Sequence, residues 1–298
     1  MNARQLHKLF NPRSIAVIGA SNTPGRIGYS LFRNLTTNEF SGEVYPVNPN
    51  HDRVQGVKAY PDMASLPHKV DLAVIATRAE TVPGMVNQCI SCGTLSTVVI
   101  SAGFTEAGRQ GNRLADQMRQ AVQSSGMALL GPNCLGFMRP TLNLNASFSR
   151  KNPHKGGIAF VSQSGALCSA VLDWSVKENV GFSYFVSIGD MVDIGFHDLI
   201  DYFGNDPETK AILIYMETLT QARQFMSAAR GFARTKPIIV LKVGKSQEGA
   251  QAALYHTGSI TGNNQIFDAI FRRAGVLRVG SIAELFDCAR NLSMQRRP

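Results

Sequence analysis

The sequence predicts an α/β protein built from two open sheets of parallel strands, one following the other along the chain. Three observations predict it. Short apolar runs alternate with helix-period segments throughout. Glycine-rich or serine-rich turns follow buried strands at two places, "GASNTPGRIG" over 19–28 and "VSQSGA" over 161–166. A stretch rich in Asn, Ser, Pro and Lys, 138–157, interrupts the alternation, which then restarts.

The elements follow in order. "SIAVIGA" (14–20) is apolar enough for a strand buried on both faces, and "GYSLFRNLTTNEF" (28–40) has the helical period. "GEVYPVNP" (42–49) is a strand stopped by prolines. "VDLAVIAT" (70–77) and "LSTVVISAG" (95–103) are further strands. "GNRLADQMRQAVQSSG" (111–126) is the helix that leads to the strand "MALLGPN" (127–133). The predicted domains are 1–145 and 146–298, with the loose stretch between them. In the second, strands are predicted over 157–165, 181–189, 211–217 and 236–244, and helices over 166–179, 220–234, 263–274 and 281–293.

Composition narrows the function classes. The net charge of +9 suits a polyanionic partner, but basic residues never form a long run and aromatic residues are sparse. A phosphate-rich small molecule therefore fits at least as well as nucleic acid. No uncharged apolar run reaches eighteen residues, so no membrane span is expected, and the first residues lack the core and cleavage site of a secretion signal. Five scattered cysteines do not make a disulfide framework, and a cytoplasmic location is expected. Cys89 and Cys92 form a C-x-x-C without a second pair to complete a zinc site, so they read as helix positions one turn apart, and no metal is expected.

The turn at Gly19, Gly25 and Gly28 lies between a first strand and a helix, where backbone N–H groups and the helix dipole favour phosphate. It is longer than the dinucleotide fingerprint G-x-G-x-x-G, and Asn48 and Pro49 stand where a nicotinamide enzyme would carry its ribose-binding acid. A nucleotide with another phosphate arrangement than NAD is expected. Ser162, Gln163, Ser164 and Gly165 form a second strand-to-helix turn. It reads as an anion cradle, with a plain helix cap by Ser164 as the alternative. Glu217 ends a predicted strand. His256, in the small-residue stretch "YHTGSITG", gains interest if Glu217 lies near it. His7, His51, His68, His154 and His197 have no such context and read as surface or packing residues.

Taken together, "GASNTPGRIGYSLFRNL", "YPVNPN", "ISAGFTEAG", "LLGPNCLGF", "FVSQSGAL", "FVSIGD", "IYMET" and "YHTGSITG" resemble the NDP-forming acyl-CoA synthetases, relatives of the succinyl-CoA synthetase α subunit. The resemblance covers nearly the whole chain, in the family's order. It implies a Rossmann-like CoA-binding domain followed by a flavodoxin-like domain carrying a phosphorylated histidine. Coenzyme A or an acyl-CoA would lie against Gly19, Ser21, Gly25, Gly28, Pro46, Asn48, Pro49, Arg78, Gly103, Glu106, Pro132 and Asn133. Ser162, Gln163, Ser164 and Gly165 would hold a phosphate. His256 would be the phosphoryl acceptor and Glu217 its orienting partner, in a synthetase acting on acetate or a similar small acid. No part of the sequence resembles an ATP-grasp domain, so ADP or ATP with magnesium would bind through a partner subunit or C-terminal domains, in an oligomer. The sequence departs from the family pattern at Tyr255, Asp190, Arg78 and Thr218. "NLNASFS", "GFSYFVSIGD" and "FMSAARGFARTKPI" also resemble the synthetase-like region of Pat-type protein lysine acetyltransferases, which implies an acyl-CoA-sensing regulatory region as the alternative.

Overall fold

The computed structural model describes residues 3–244 and 264–294, and the chain divides into two compact units. The first comprises Met1–Asn152 together with Ile188–Ile194, and the second Pro153–Ser187 and Gly195–Pro298.

The first unit opens on a helix the sequence reading did not assign, α1 (Ala3–Phe10), whose Leu6, Leu9 and Phe10 are buried at helical spacing. Then come β1 (Ser14–Ile18), α2 (Ile27–Thr37), β2 (Glu43–Val47), the short antiparallel pair β3 (Arg53–Val54) and β4 (Val57–Lys58), and β5 (Leu72–Ile75). After these follow α3 (Val82–Ser91), β6 (Ser96–Val99), α4 (Gly108–Ser125) and β7 (Ala128–Leu130). Five strands form a parallel sheet in the order β2-β1-β5-β6-β7. β1, β5 and β6 are buried at every position, which is why β1 and β5 read as nearly unbroken apolar runs, while β6 buries Ser96 and Thr97 beside its valines. Ala16, Ile18, Ala73, Ile75, Val99 and Leu129 share a core with Val82 and Val86 of α3 and Ala115, Met118 and Val122 of α4.

Two features of this unit were not legible as elements. The stretch read as loose from residue 138 onward contains a hairpin, β8 (Gly136–Arg139) and β9 (Leu144–Ser147), turned at Asn143 with φ 53°. Its polar residues are internal rather than solvated: Asn145 and Ser147 are buried, Ser147 Oγ donates to Asn145 Oδ1 (2.6 Å), and Asn34 Nδ2 of α2 donates to the Ser147 carbonyl (2.8 Å). The second feature is the segment Ile188–Ile194, which extends the first unit beside β7. The N–H groups of Asp190, Val192 and Ile194 donate to the carbonyls of Pro132, Gly131 and Leu129 at 3.0–3.1 Å, and the Leu129 N–H donates to Asp193 Oδ2 (2.9 Å).

The second unit runs β10 (His154–Ser162), α5 (Gly165–Lys177), β11 (Gly181–Ser187), α6 (Phe196–Asn205), β12 (Ala211–Met216), α7 (Ala222–Phe232), β13 (Ile238–Lys242), α8 (Asn264–Ala274), β14 (Leu277–Val279) and α9 (Ile282–Met294). Its strands β14-β13-β12-β10-β11 are parallel. α6 and β14 fall where no element was assigned. β10 and β11 approach so closely at Gly156 and Gly181 that a Cβ on Gly156 would lie 2.3 Å from the Gly181 carbonyl carbon. Trp174 of α5 stacks on Phe286 of α9 at 4.1 Å, and Phe225 of α7 meets Phe271 of α8 edge-on at 5.8 Å.

Numbered within each unit, both parallel sheets have the order 2-1-3-4-5. Each therefore has one point where the connections diverge, and the crevice beyond the strand ends there is where open α/β sheets take ligands.

Candidate functional site

In the first unit that point lies between the ends of β1 and β5. Gly19 leaves β1 with φ +89°, and a Cβ there would sit 2.6 Å from the Ala76 carbonyl oxygen at the end of β5. Gly28, in the first turn of α2, is still tighter: a Cβ would come within 1.9 Å of the Gly19 carbonyl oxygen. Only glycine lets the helix start so close to the strand end. Gly25 has φ +88° and open space around it, so its requirement is conformational. Residues 22–27 between them are exposed, and the N-cap Arg26 makes no side-chain cap hydrogen bond. The first N–H groups of α2 thus receive no cap from the Arg26 side chain, an arrangement suited to an anion.

The loop is held from two sides. Asn48 Nδ2, beyond β2, donates to the Ala20 carbonyl (2.7 Å), while its Oδ1 accepts the Asn50 N–H (2.9 Å). Gln55, at the turn between β3 and β4, donates through Nε2 to the carbonyls of Ser21 (3.2 Å) and Tyr29 (3.0 Å), and its N–H reaches Asn22 Oδ1 (2.7 Å). Ser21 is buried and its Oγ accepts the Thr23 N–H (3.1 Å). The sequence reading missed Gln55 and Asn22; their only signal is the positive φ of 48° at Gln55, invisible in a residue type that rarely takes it.

The other expected coenzyme residues share this edge. Pro46 lies in β2 opposite Val17 and is buried, whereas Pro49 and Arg78 are exposed. Glu106 turns its carboxylate onto the N–H groups of Gly103 and Phe104, so it shapes the loop after β6. Asn133 has φ 55° and its N–H donates to the Ser101 carbonyl (2.9 Å), beside a cis Gly131–Pro132 bond. Asp190 accepts from Thr105 Oγ1 (2.6 Å) and from Asn133 Nδ2 (3.4 Å); burial, and then the charge of Glu106, raises its carboxyl above the ordinary range despite those bonds.

In the second unit the divergence lies between the ends of β10 and β12. Ser162 is fully buried and its Oγ both accepts the Ser164 N–H (3.0 Å) and donates to the Ser164 carbonyl (2.9 Å). Gln163 spans the two strand ends: its Oε1 accepts the N–H groups of Glu217 (2.6 Å) and Thr218 (2.9 Å), and its Nε2 donates to Thr218 Oγ1 (3.0 Å). Ser164 is the N-cap of α5, accepting the Leu167 N–H (3.3 Å). These side chains therefore build the turn, and the N–H groups of Gly165 and Ala166 are the ones a helix start leaves without an intrahelical partner. We expect Ser164→Ala to lower stability by about 1 kcal/mol, read as a fall in the urea midpoint at unchanged slope.

Glu217 follows the last residue of β12 directly. Its charge, after burial, pushes the Tyr215 hydroxyl up to about 12. Lys242, the last residue of β13 and in register with Met216, is buried at the same edge. His256 lies outside the described residues. The described chain leaves at Gly244 and resumes at Asn264, and Asn264 Nδ2 donates to the Gly244 carbonyl (3.4 Å), so both ends of the intervening stretch stand beside β13.

Two competing chemistries gain nothing from the geometry. Cys89 is buried in α3 with its thiol pushed up to about 12, mainly by burial, and Cys92 caps the same helix. Among the described residues no group of three or more His, Cys, Asp or Glu could hold a metal, and no helix is long and apolar enough to cross a membrane.

Two family profiles match, in tandem: a CoA binding domain over residues 13–140 and a succinyl-CoA ligase like flavodoxin domain over 155–292. An acetate–CoA ligase (ADP-forming) of Archaeoglobus fulgidus is 44% identical over 98% of this chain. This chain belongs to the NDP-forming acyl-CoA synthetase family. Subunit alpha of acetate–CoA ligase (ADP-forming) II of Pyrococcus furiosus is 43% identical over 96% of it. A Ca. Korarchaeum cryptofilum acetyl-coenzyme A synthetase, solved in complex with phosphate and ADP, superposes with a TM-score of 0.94 at 41% identity, over 98% of this chain and 63% of that one. The synthetase-family chain spans 42% of the Archaeoglobus relative and 62% of the Pyrococcus subunit. Its two units are the family's CoA-binding and flavodoxin-like domains. The matched relatives are ligases, and the protein acetyltransferase reading gains no support from them.

Proposed function

We propose that the chain is the CoA-binding and phosphohistidine part of an NDP-forming acyl-CoA synthetase, converting an acid, CoA and a nucleoside triphosphate into acyl-CoA, nucleoside diphosphate and phosphate. The acid is acetate or a similarly small one. The observation that carries this is the pairing of two helix starts, α2 and α5, each at the divergence point of its own sheet. Residues 1–145 hold coenzyme A or acyl-CoA, with phosphates at the uncapped α2 start and the pantetheine arm along Asn48, Pro49 and Arg78 toward Gly103, Pro132 and Asn133. The glycines at 19 and 28 fit this use, since a side chain at either would meet backbone and push the helix start off the strand ends. Residues 146–298 carry the phosphoryl chemistry.

In the direction of acyl-CoA formation, an imidazole nitrogen of His256 attacks the terminal phosphorus of the nucleotide; the P–O bond breaks and a P–N bond forms. The carboxylate of the acid then takes the phosphoryl group as an acyl phosphate and frees the imidazole. The CoA thiolate attacks the acyl carbon, phosphate leaves, and the thiol proton passes to solvent. Splitting one displacement into three is what a covalent carrier contributes, and the N–H groups at the α5 start neutralise the moving phosphoryl charge. Glu217 accepts the second imidazole N–H and sets the tautomer. The nucleotide, with magnesium, binds through ATP-grasp domains supplied by a partner subunit or by further residues of a longer chain, in a cytoplasmic oligomer.

The first test is ligand choice. Calorimetry with the full chain is expected to show CoA binding, weakening as salt rises because phosphates dominate the contact, and no heat with NAD. Binding of NAD with CoA inert would reverse the assignment of the first unit.

A further inference from the structure

Gln163 sits where β10 turns away from its sheet into α5. Its N–H still follows the parallel ladder and donates to the Tyr215 carbonyl of β12 (3.2 Å). An evenly spaced parallel ladder would next pair the Glu217 N–H with the Gln163 carbonyl. Here the side chain supplies the acceptor: Gln163 Oε1 takes the N–H groups of Glu217 (2.6 Å) and Thr218 (2.9 Å). Two backbone donors on one atom identify it as the amide oxygen, which turns the NH2 group the other way. That group donates to Thr218 Oγ1 (3.0 Å). One side chain thus closes three hydrogen bonds onto two consecutive residues, with the Cα of Glu217 between the two held N–H groups.

The opposite side of the strand end is held by β13. The Val243 N–H donates to the Met216 carbonyl (3.0 Å). Lys242, in register with Met216, directs its Nζ to the Val243 carbonyl (2.7 Å) and lies 4.7 Å from the centre of the Phe267 ring of α8. The backbone is therefore tied at Tyr215, Met216, Glu217 and Thr218 in succession, at the divergence point of the sheet. Packing does not require this. Gln163, Glu217 and Thr218 are half-buried, and a chain leaving a strand near the surface can satisfy its N–H groups with water. Thr218 is also a position at which the sequence departs from the family pattern. Its hydroxyl oxygen gives the Gln163 NH2 an acceptor that a residue without a polar side chain could not offer. A carboxylate that must meet an imidazole at one distance and angle needs such support, because a reacting group is held only as well as the hydrogen bonds behind it.

We propose that Gln163 and Thr218 are positioning residues for phosphoryl transfer, bracing the backbone of residue 217 so that its carboxylate stands at a fixed point of the sheet edge. This rests on the function proposed above, in which Glu217 assists the phosphohistidine. The Gln163 amide then acts on the protein rather than on the phosphate.

The experiment is a double-mutant cycle on histidine phosphorylation. It is measured with radiolabelled ATP on the full chain joined by its nucleotide-binding part, at a temperature below the unfolding transition of every variant. Q163M keeps the length of the side chain and loses its three hydrogen bonds. It is expected to slow labelling by roughly tenfold, within the range of coupling inside one hydrogen-bond network. In an E217Q background the same change is expected to alter the rate by less than about twofold, because no carboxylate is left to place. T218V keeps the shape of threonine without the hydroxyl and is expected to slow labelling by roughly threefold; T218S restores the wild-type rate. A role confined to stability would give Q163M the same factor in both backgrounds. That outcome, or Q163M labelled at the wild-type rate, overturns the proposal and leaves the phosphohistidine reading intact. If Q163M fails to fold, the Thr218 variants decide, and T218S as slow as T218V overturns the proposal. Absence of histidine label in the wild type overturns both.

Discussion

In a complete enzyme, His256→Ala is expected to abolish the acid-labile, base-stable phosphorylation and, with it, net acyl-CoA synthesis. The buried thiols of Cys89 and Cys168 offer no substitute: both are pushed up to about 12 and stay protonated at neutral pH. Glu217→Gln is expected to leave the fold intact, because glutamine keeps the size of the side chain and the backbone N–H bond to Gln163 Oε1. It should nevertheless slow phosphorylation by ~10²-fold or more, the scale of a lost acid–base partner. CoA binding should survive both changes. Label from ATP that persists in His256→Ala moves the acceptor elsewhere and sinks the assignment.

The second large effect is expected at Gly28. An alanine there places its methyl carbon 1.9 Å from the Gly19 carbonyl oxygen, and both atoms belong to backbone segments that cannot swing aside. The start of α2 must lift off the end of β1. The cost lies at or above the upper end of the ~1–3 kcal/mol usual for overpacking, which lowers the melting temperature by roughly 5–10 °C. CoA affinity should fall by about tenfold or more, the factor carried by ~1.4 kcal/mol, since the displaced N–H groups are those assigned to the phosphates. Gly25→Ala is the control: it meets no atom within 4 Å and strains only φ, so it should cost less on both measurements. Equal losses at 25 and 28 would show that close approach is not what glycine supplies.

Much of this was legible because each sheet states its divergence point in the residues beside it. Gly19 and Gly28 are both glycines for steric reasons, and the apolar runs of β1 and β5 announce a sheet covered on both faces. What escaped was set by contacts between distant residues. Asn145 and Ser147 read as linker because their hydrogen bonds are internal and depend on Asn34, more than a hundred positions away. Gln55 looks like any surface glutamine until the β3–β4 turn brings it to Ser21 and Tyr29. Lys242 reads as the polar end of a strand, since no pattern in the chain says that β14 and α8 will cover it. The segment 188–194 continues the run of β11 in sequence, yet its partners are Leu129, Gly131 and Pro132. The Ser162–Gly165 turn reads as an anion cradle through hydroxyls and amides; the structure spends the hydroxyls of Ser162 and Ser164 on the turn itself.

That same segment makes the two halves inseparable by any single cut. The chain crosses between them three times, at 152–153, 187–188 and 194–195. A fragment ending near residue 150 would keep all five strands of its sheet and still lose the neighbours of Leu129, Gly131, Pro132, Thr105 and Asn133. Those are the residues behind the rim at which we propose the coenzyme's reactive end lies. Such a fragment would leave five backbone groups of that rim without these partners, three carbonyls and the N–H groups of Leu129 and Thr105. Any split of the chain at a single internal position therefore divides at least one of the two units.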